Sequence, residues 1–269
     1  MTVDLGLRGK IALVTGSASG IGEAIARRLG AEGARVAVHG RPTQQAEAAA
    51  VVEAIRAAGT EAEAFPADFE DVGSCAPLIE AVVAHFGRLD ILVNNAAVCF
   101  RGGIETTDAA MFDTIIGINL RAPLLLIRAA WPYFRAQGGG RVLNIGSVNA
   151  YCGEPALLAY SISKGGLTTL TRNLADAHAR EGLRINQINP GWVLTDNEYR
   201  IKVAEGLSPD WPTQLPREHA PSGRIFRPDE IAHFAVTFLS QQAELVNGSV
   251  VELEQFPVIG RNPPKASGF

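Results

Sequence analysis

Tyr160 and Lys164 stand four positions apart in the run Tyr-Ser-Ile-Ser-Lys. The residues around them are small and apolar at helical spacing, so the phenol and the amine share one helix face. Ordinary solvated helix faces carry such pairs. The pair also suits proton transfer, because a nearby ammonium favours the phenolate and lowers a pKa that is otherwise about 10. Ser147 follows a strand-like run and offers a hydroxyl that can hold a reacting oxygen, although serines there are commonly turn or cap residues. Asn119 lies between Ile118 and Leu120 and can satisfy a buried carbonyl.

A second candidate device lies near the N-terminus, in Thr15-Gly-Ser-Ala-Ser-Gly-Ile-Gly22. Gly16, Gly20 and Gly22 sit where a first strand turns into a first helix. Such a turn aims backbone N–H groups and a helix dipole at a pyrophosphate, with Ser17, Ser19 and Ile21 beside it. Glycine at a strand-to-helix turn also serves packing alone. The spacing is Gly-x-x-x-Gly-x-Gly, not the Gly-x-Gly-x-x-Gly of the common dinucleotide fingerprint. Taken with a nicotinamide dinucleotide, Tyr160 would remove a hydroxyl proton as hydride leaves carbon. In reverse, it would protonate the alkoxide.

These residues need elements to hold them. Strand-like runs cover 10–16, 34–40, 60–68, 89–95, 140–147, 182–191 and 248–254. Helical patterns lie at 21–33, 43–59, 73–87, 107–135, 157–180 and 228–240. The alternation predicts βαβ units and an α/β fold: a three-layer, doubly wound (Rossmann-type) parallel sheet with helices on both faces. One domain, 1–269, is expected. The exceptions are 196–227, rich in charge, Pro and Trp and read as a substrate lid, and an extended C-terminal tail, 255–269.

The 269 residues are 47% hydrophobic and 19% charged, an ordinary globular balance. A net charge of −4 gives no basic excess for nucleic acid or an anionic membrane. No uninterrupted apolar run reaches spanning length, and the first residues lack a secretory pattern. Cys75, Cys99 and Cys152 form neither a disulfide framework nor a zinc spacing. A reduced, cytoplasmic protein is expected. None of the five histidines lies at metal-ligand spacing, so no metal site is proposed.

The motifs occur in an order that resembles the short-chain dehydrogenase/reductase family, over about 10–254. Asn94-Asn-Ala-Ala97 stands where that family has Asn-Asn-Ala-Gly. Asn119, Ser147, the Tyr160/Lys164 pair and Asn189-Pro-Gly-Trp-Val-Leu-Thr195 follow. The resemblance implies that Lys164 also binds the nicotinamide ribose and that Asn119 positions a proton-relaying water. It implies coenzyme contacts at Asn95, Ala96, Pro190, Gly191, Val193 and Thr195. Asp68 would meet the adenine amino group, with the Phe69 backbone beside the ring. A homotetramer is implied as well. The family's Val-Asp-Gly-Gly end is replaced here by Leu253-Glu-Gln-Phe-Pro257.

Strand two ends Val-Ala-Val-His39-Gly40-Arg41-Pro, with no acid between Ala34 and Pro42. NAD sites usually place an acid there for the ribose 2′-OH, whereas an Arg suits a 2′-phosphate. NADP(H) is therefore favoured over NAD(H), with Arg41 as the phosphate partner. His39 is read as a strand-end residue. For the substrate, Asn149, Tyr151, Cys152, Glu154, Trp192, Asn197 and Glu198 are candidates. Their hydrogen-bonding groups suit a sugar or polyol, and Trp192 could stack on a sugar face. The expected activity is hydride transfer between NADP(H) and a secondary alcohol or ketone. A 3-oxoacyl-(carrier protein) reductase is the alternative, with Arg121, Arg128 and Arg135 as a docking stripe. A non-catalytic NADP(H) sensor is another. An epimerase or dehydratase would need a larger C-terminal domain than the chain has room for.

Overall fold

The computed structural model describes residues 4–151 and 153–256. Cys152 and 257–269, most of the expected tail, lie outside them. Seven strands form one parallel sheet: β1 (Ile11–Val14), β2 (Arg35–Gly40), β3 (Ala62–Pro66), β4 (Ile91–Asn94), β5 (Gly140–Ile145), β6 (Leu183–Pro190) and β7 (Val250–Leu253). Their order is β3-β2-β1-β4-β5-β6-β7. The alternation along β1 shows why the strand is apolar throughout. Ile11 and Leu13 face one helical layer while Ala12 and Val14 face the other.

One layer holds α1 (Gly20–Ala31), α2 (Gln45–Ala57) and α8 (Pro228–Leu239), which bury Ile25, Leu29, Val51, Ile55, Ile231 and Leu239. The other holds α3 (Cys75–Phe86), α5 (Ala122–Ala136) and α6 (Leu158–His178). The chain leaves β1 for β2 on one side and later lays β4 on the other. That reversal opens a crevice at the C-terminal strand ends, where α/β sheets bind ligands.

The helical pattern over 107–135 proves to be two helices. α4 (Ala109–Ile116) and α5 are joined by a π-helical turn at Gly117–Arg121. A π turn adds a residue to one helical turn, and here it holds Asn119 in the interior, 1% exposed. By length and composition alone, Ala109–Ala136 is apolar enough to cross a membrane. Its inward residues Ile115, Ile118, Leu126 and Phe134 are buried in the protein instead. Arg121, Arg128 and Arg135 are exposed on its outer side.

The 196–227 segment contains α7 (Asp196–Ala204) and a short turn at Trp211–Thr213. It has a small apolar cluster of its own, in which Trp211, Leu215, Ala220 and Ile225 pack with Trp192, Tyr199 and Leu207. Trp211 stacks on Trp192 with ring centroids 5.3 Å apart.

Candidate active site

The glycine turn is held by close backbone approach. Gly16 and Gly20 take φ of +62° and +60°, which favour glycine. A Cβ on Gly22 would come within 2.4 Å of the Gly16 carbonyl oxygen, and one on Gly16 within 2.9 Å of Ala96 Cα. Ser19 precedes α1 in extended conformation. Neutral side chains brace the turn. Thr15 Oγ1 accepts from the Asn95 and Ala96 N–H groups at 2.9 and 3.0 Å. Asn95 Nδ2 donates to Thr15 O at 2.9 Å. Ser17 Oγ donates to Val14 O at 2.7 Å and accepts from His39 N at 3.0 Å.

His39 does more than end a strand. Its Nδ1 accepts from Gly16 N at 2.9 Å, and its Nε2 lies 3.2 Å from Ala67 O. An imidazole that accepts at Nδ1 and donates at Nε2 is neutral. Burial lowers its pKa to about 4, against the raising effects of the Ala67 carbonyl and Asp68. The ring stacks on Phe69 with centroids 4.5 Å apart. His39 therefore ties the glycine turn to the loop after β3, where Asp68 is half-buried and Phe69 buried. A polar residue closing the apolar run Val36-Ala-Val38 was the only sequence signal for it.

At the end of β2, a Cβ on Gly40 would lie 3.1 Å from Ala18 Cβ and 3.4 Å from Gln44 Cβ, so a carboxylate side chain there would be crowded. Arg41 is exposed just beyond it, with no ion pair among the described residues. A turn that a side chain would fill and a helix N-terminus behind it fit the pyrophosphate of a dinucleotide.

The first turns of α6 carry Tyr160 and Lys164 to a cavity of about 490 Å³. Ser147, Ile21, Asn95, Pro190, Gly191, Val193 and Thr195 line the same cavity. Ser147 hydrogen-bonds the Tyr160 phenol and accepts from Asn149 N at 3.1 Å. Lys164 is 2% exposed, and its Nζ donates to Ile145 O at 2.8 Å. Burial lowers its pKa to about 8. The phenol departs from the sequence-based expectation: burial pushes its pKa up, and only the Ser147 hydrogen bond lowers it. Burial dominates, and the Lys164 ammonium, 5.6 Å from the Tyr160 ring centroid, donates to the Ile145 carbonyl.

Asn119 is set back from the cavity. Its Nδ2 donates to Val98 O at 2.9 Å and to Ser163 Oγ at 3.1 Å, and its Oδ1 accepts from Val98 N at 2.9 Å. It ties the loop after β4 to α6, and Ser163 donates on to Tyr160 O at 2.6 Å.

On the substrate side, Asn149, Glu154, Trp192, Asn197 and Glu198 line the cavity. Tyr151 does not; its hydroxyl bonds to Glu252. Trp192 Nε1 donates to Glu198 Oε1 at 2.7 Å. Lining residues that sequence reasoning missed include Cys99, Arg101, Lys202, Glu205 and Glu254. Lys202 and Glu205, three apart on the predicted lid, carried a signal, as did Glu254 in the altered C-terminal motif. Glu254 is explained by the altered C-terminal motif: its carboxylate lies where a Cβ on Gly191 would be, and burial raises its pKa. Among the described residues, no group of three or more His, Cys, Asp or Glu could hold a metal.

Residues 16–254 match the family model described as enoyl-(acyl carrier protein) reductase. The chain is 37% identical to D-threitol dehydrogenase of Mycolicibacterium smegmatis, over 91% of this chain and 92% of that one. It is 33% identical to D-beta-hydroxybutyrate dehydrogenase of Cupriavidus necator, over 92% and 97%. Among solved structures, L-sorbose reductase of Gluconobacter frateurii, complexed with NADPH and L-sorbose, superposes with a TM-score of 0.87. That match is 29% identical and covers 94% of this chain and 97% of the other.

Proposed function

The chain belongs to the short-chain dehydrogenase/reductase family, and from that premise we propose that it transfers hydride between NADP(H) and a secondary alcohol or ketone of the sugar or polyol kind. One observation carries the reading. Ser147, Tyr160 and Lys164 open into the same cavity as Ile21 of the glycine turn and the Pro190–Thr195 segment.

The glycine turn and the N-terminus of α1 would hold the pyrophosphate. Arg41 would pair with the 2′-phosphate, and Asp68 and Phe69 would bound the adenine. A nicotinamide dinucleotide supplies the hydride carrier and, when oxidised, a positive charge near the phenol. Ser147 Oγ holds the reacting oxygen. Tyr160 accepts the hydroxyl proton in oxidation and donates it to the alkoxide in reduction. Lys164 keeps two N–H groups beyond its bond to Ile145 O, enough to reach a ribose hydroxyl. Its pKa of about 8 keeps it mostly cationic at neutrality. Asn119 steadies Tyr160 through Ser163.

The absence of an acid from Ala34 to Pro42, with a crowded position at Gly40, supports NADP(H). Glu154, Glu198, Asn149 and Asn197 support a hydroxylated substrate, as do the names of the threitol and sorbose enzymes among its relatives. We also propose a homo-oligomer, supported by the exposed Phe112 and Leu124 on the outer side of α4 and α5.

The direct test is nicotinamide absorbance with a panel of polyols, sugars and their ketones, each with NADP(H) and NAD(H). Turnover of one polyol–ketone pair with NADP(H) is expected. Coenzyme binding without turnover across the panel would favour a sensor.

A further inference from the structure

The mouth of the cavity is densely charged, and its cations are already paired. Arg101, in the loop after β4, places Nε 2.7 Å from Glu205 Oε1 and Nη1 3.4 Å from Glu154 Oε2. Lys202, on α7, places Nζ 2.8 Å from the other Glu205 oxygen. Its side chain is 8% exposed and its ammonium lies 5.9 Å from the Trp192 ring centroid. One carboxylate at the end of α7 therefore holds both cations of the mouth. Burial alone would raise the Glu205 pKa, but its bonds to Lys202 and Arg101 lower it, so it stays ionised. The third lining cation, Lys164, is turned to Ile145 O. Around these three stand four carboxylates: Glu154, Glu198, Glu205 and Glu254.

We infer that this site selects uncharged polyhydroxylated alcohols and their ketones over substrates bearing a carboxylate, and that Glu205 sets the selection by occupying Arg101 and Lys202. The inference rests on the oxidoreductase reading and narrows it. A substrate carboxylate is bound well by a guanidinium fork or an ammonium with unused donors. Here the charge of both cations is already matched by Glu205, so a substrate carboxylate would have to compete with Glu205 for them or crowd against it in a part-buried site. Entering without displacement, it would meet like charge at short range. A neutral polyol escapes both costs. Its hydroxyls donate to carboxylate oxygens and exchange hydrogen bonds with Asn149 and Asn197.

The test uses matched ligands of equal chain length, a four-carbon polyol and the corresponding hydroxy acid. Turnover is measured with NADP⁺, and binding to the coenzyme complex by calorimetry. Wild type should favour the polyol in both. Glu205→Gln should raise the acid-to-polyol ratio of kcat/KM and of affinity by roughly tenfold, the worth of one freed charge-assisted contact. Glu154→Gln should move both ratios the same way by less. Adding Arg101→Ala to Glu205→Gln should remove the gain. Tighter binding of the acid by wild type would overturn the inference, as would unchanged ratios in Glu205→Gln and Glu154→Gln proteins that keep the wild-type melting temperature. Polyol-selective binding with no turnover would instead count against the oxidoreductase reading and leave charge selection standing.

Discussion

The two sides of the cavity are built differently. On the side of the glycine turn, bracing comes from backbone and neutral side chains: buried Thr15, Ser17 and His39 and part-buried Asn95 hold the turn after β1. That side is anchored in strands whose apolar residues are fully buried. On the substrate side, the wall is charged and held by side-chain ion pairs. Much of it stands on α7, whose segment packs around a small separate cluster. A ligand common to many enzymes can be gripped by backbone geometry that the fold itself produces. A particular substrate must be chosen by side chains on connecting segments, which can vary without unfolding the sheet.

Variants can break or sharpen that contrast. The largest effect is expected where the two sides meet. Tyr160→Phe should lower hydride transfer by about 10²- to 10⁴-fold while coenzyme still binds, as read by stopped-flow absorbance and fluorescence titration. Undiminished turnover would take the proton-transfer role from Tyr160.

The next effect belongs to the coenzyme side alone. His39 has a folded pKa of about 4 against an ordinary 6.5. Between those values the unfolded chain binds the extra proton, so native stability falls as pH drops from 6.5 towards 4. The loss should reach roughly 3 kcal/mol. Urea unfolding across that range should show a shallower acid slope for His39→Asn than for wild type. Identical slopes would mean that the imidazole is not held neutral by the glycine turn.

Smaller still is the effect at the solvent edge. Arg41→Ala should weaken NADPH by about tenfold and leave NADH nearly unchanged, since one exposed phosphate contact is lost. Equal losses for both coenzymes would remove the argument for NADP(H).

Much of the coenzyme side was legible in the chain. The strand, glycine turn and helix are local in sequence, so periodicity and glycine positions reveal them. The pairing of Tyr160 with Lys164 was legible for the same reason, because one helix face brings them together. The phenol's pKa was not, because it depends on burial and on where Lys164 sends its protons. Nor was the break in the long helical pattern, since a π turn keeps the apolar spacing on either side of it. The role of His39 needed Gly16 and Ala67 beside it, and both lie far along the chain. Arg101, Glu154 and Glu205 come from three separate connections, and no local pattern announces that they meet.

By itself the sequence determined the alternation of strands and helices, the glycine turn, the lack of an acid after strand two and the phenol–amine pair. Each is written in residues a few positions apart, where chain geometry alone fixes the neighbours. Only the tertiary structure decided which charges face one another across the cavity and which polar groups are buried. Those depend on how distant segments pack, and short-range electrostatics and desolvation change steeply with a few ångströms of separation.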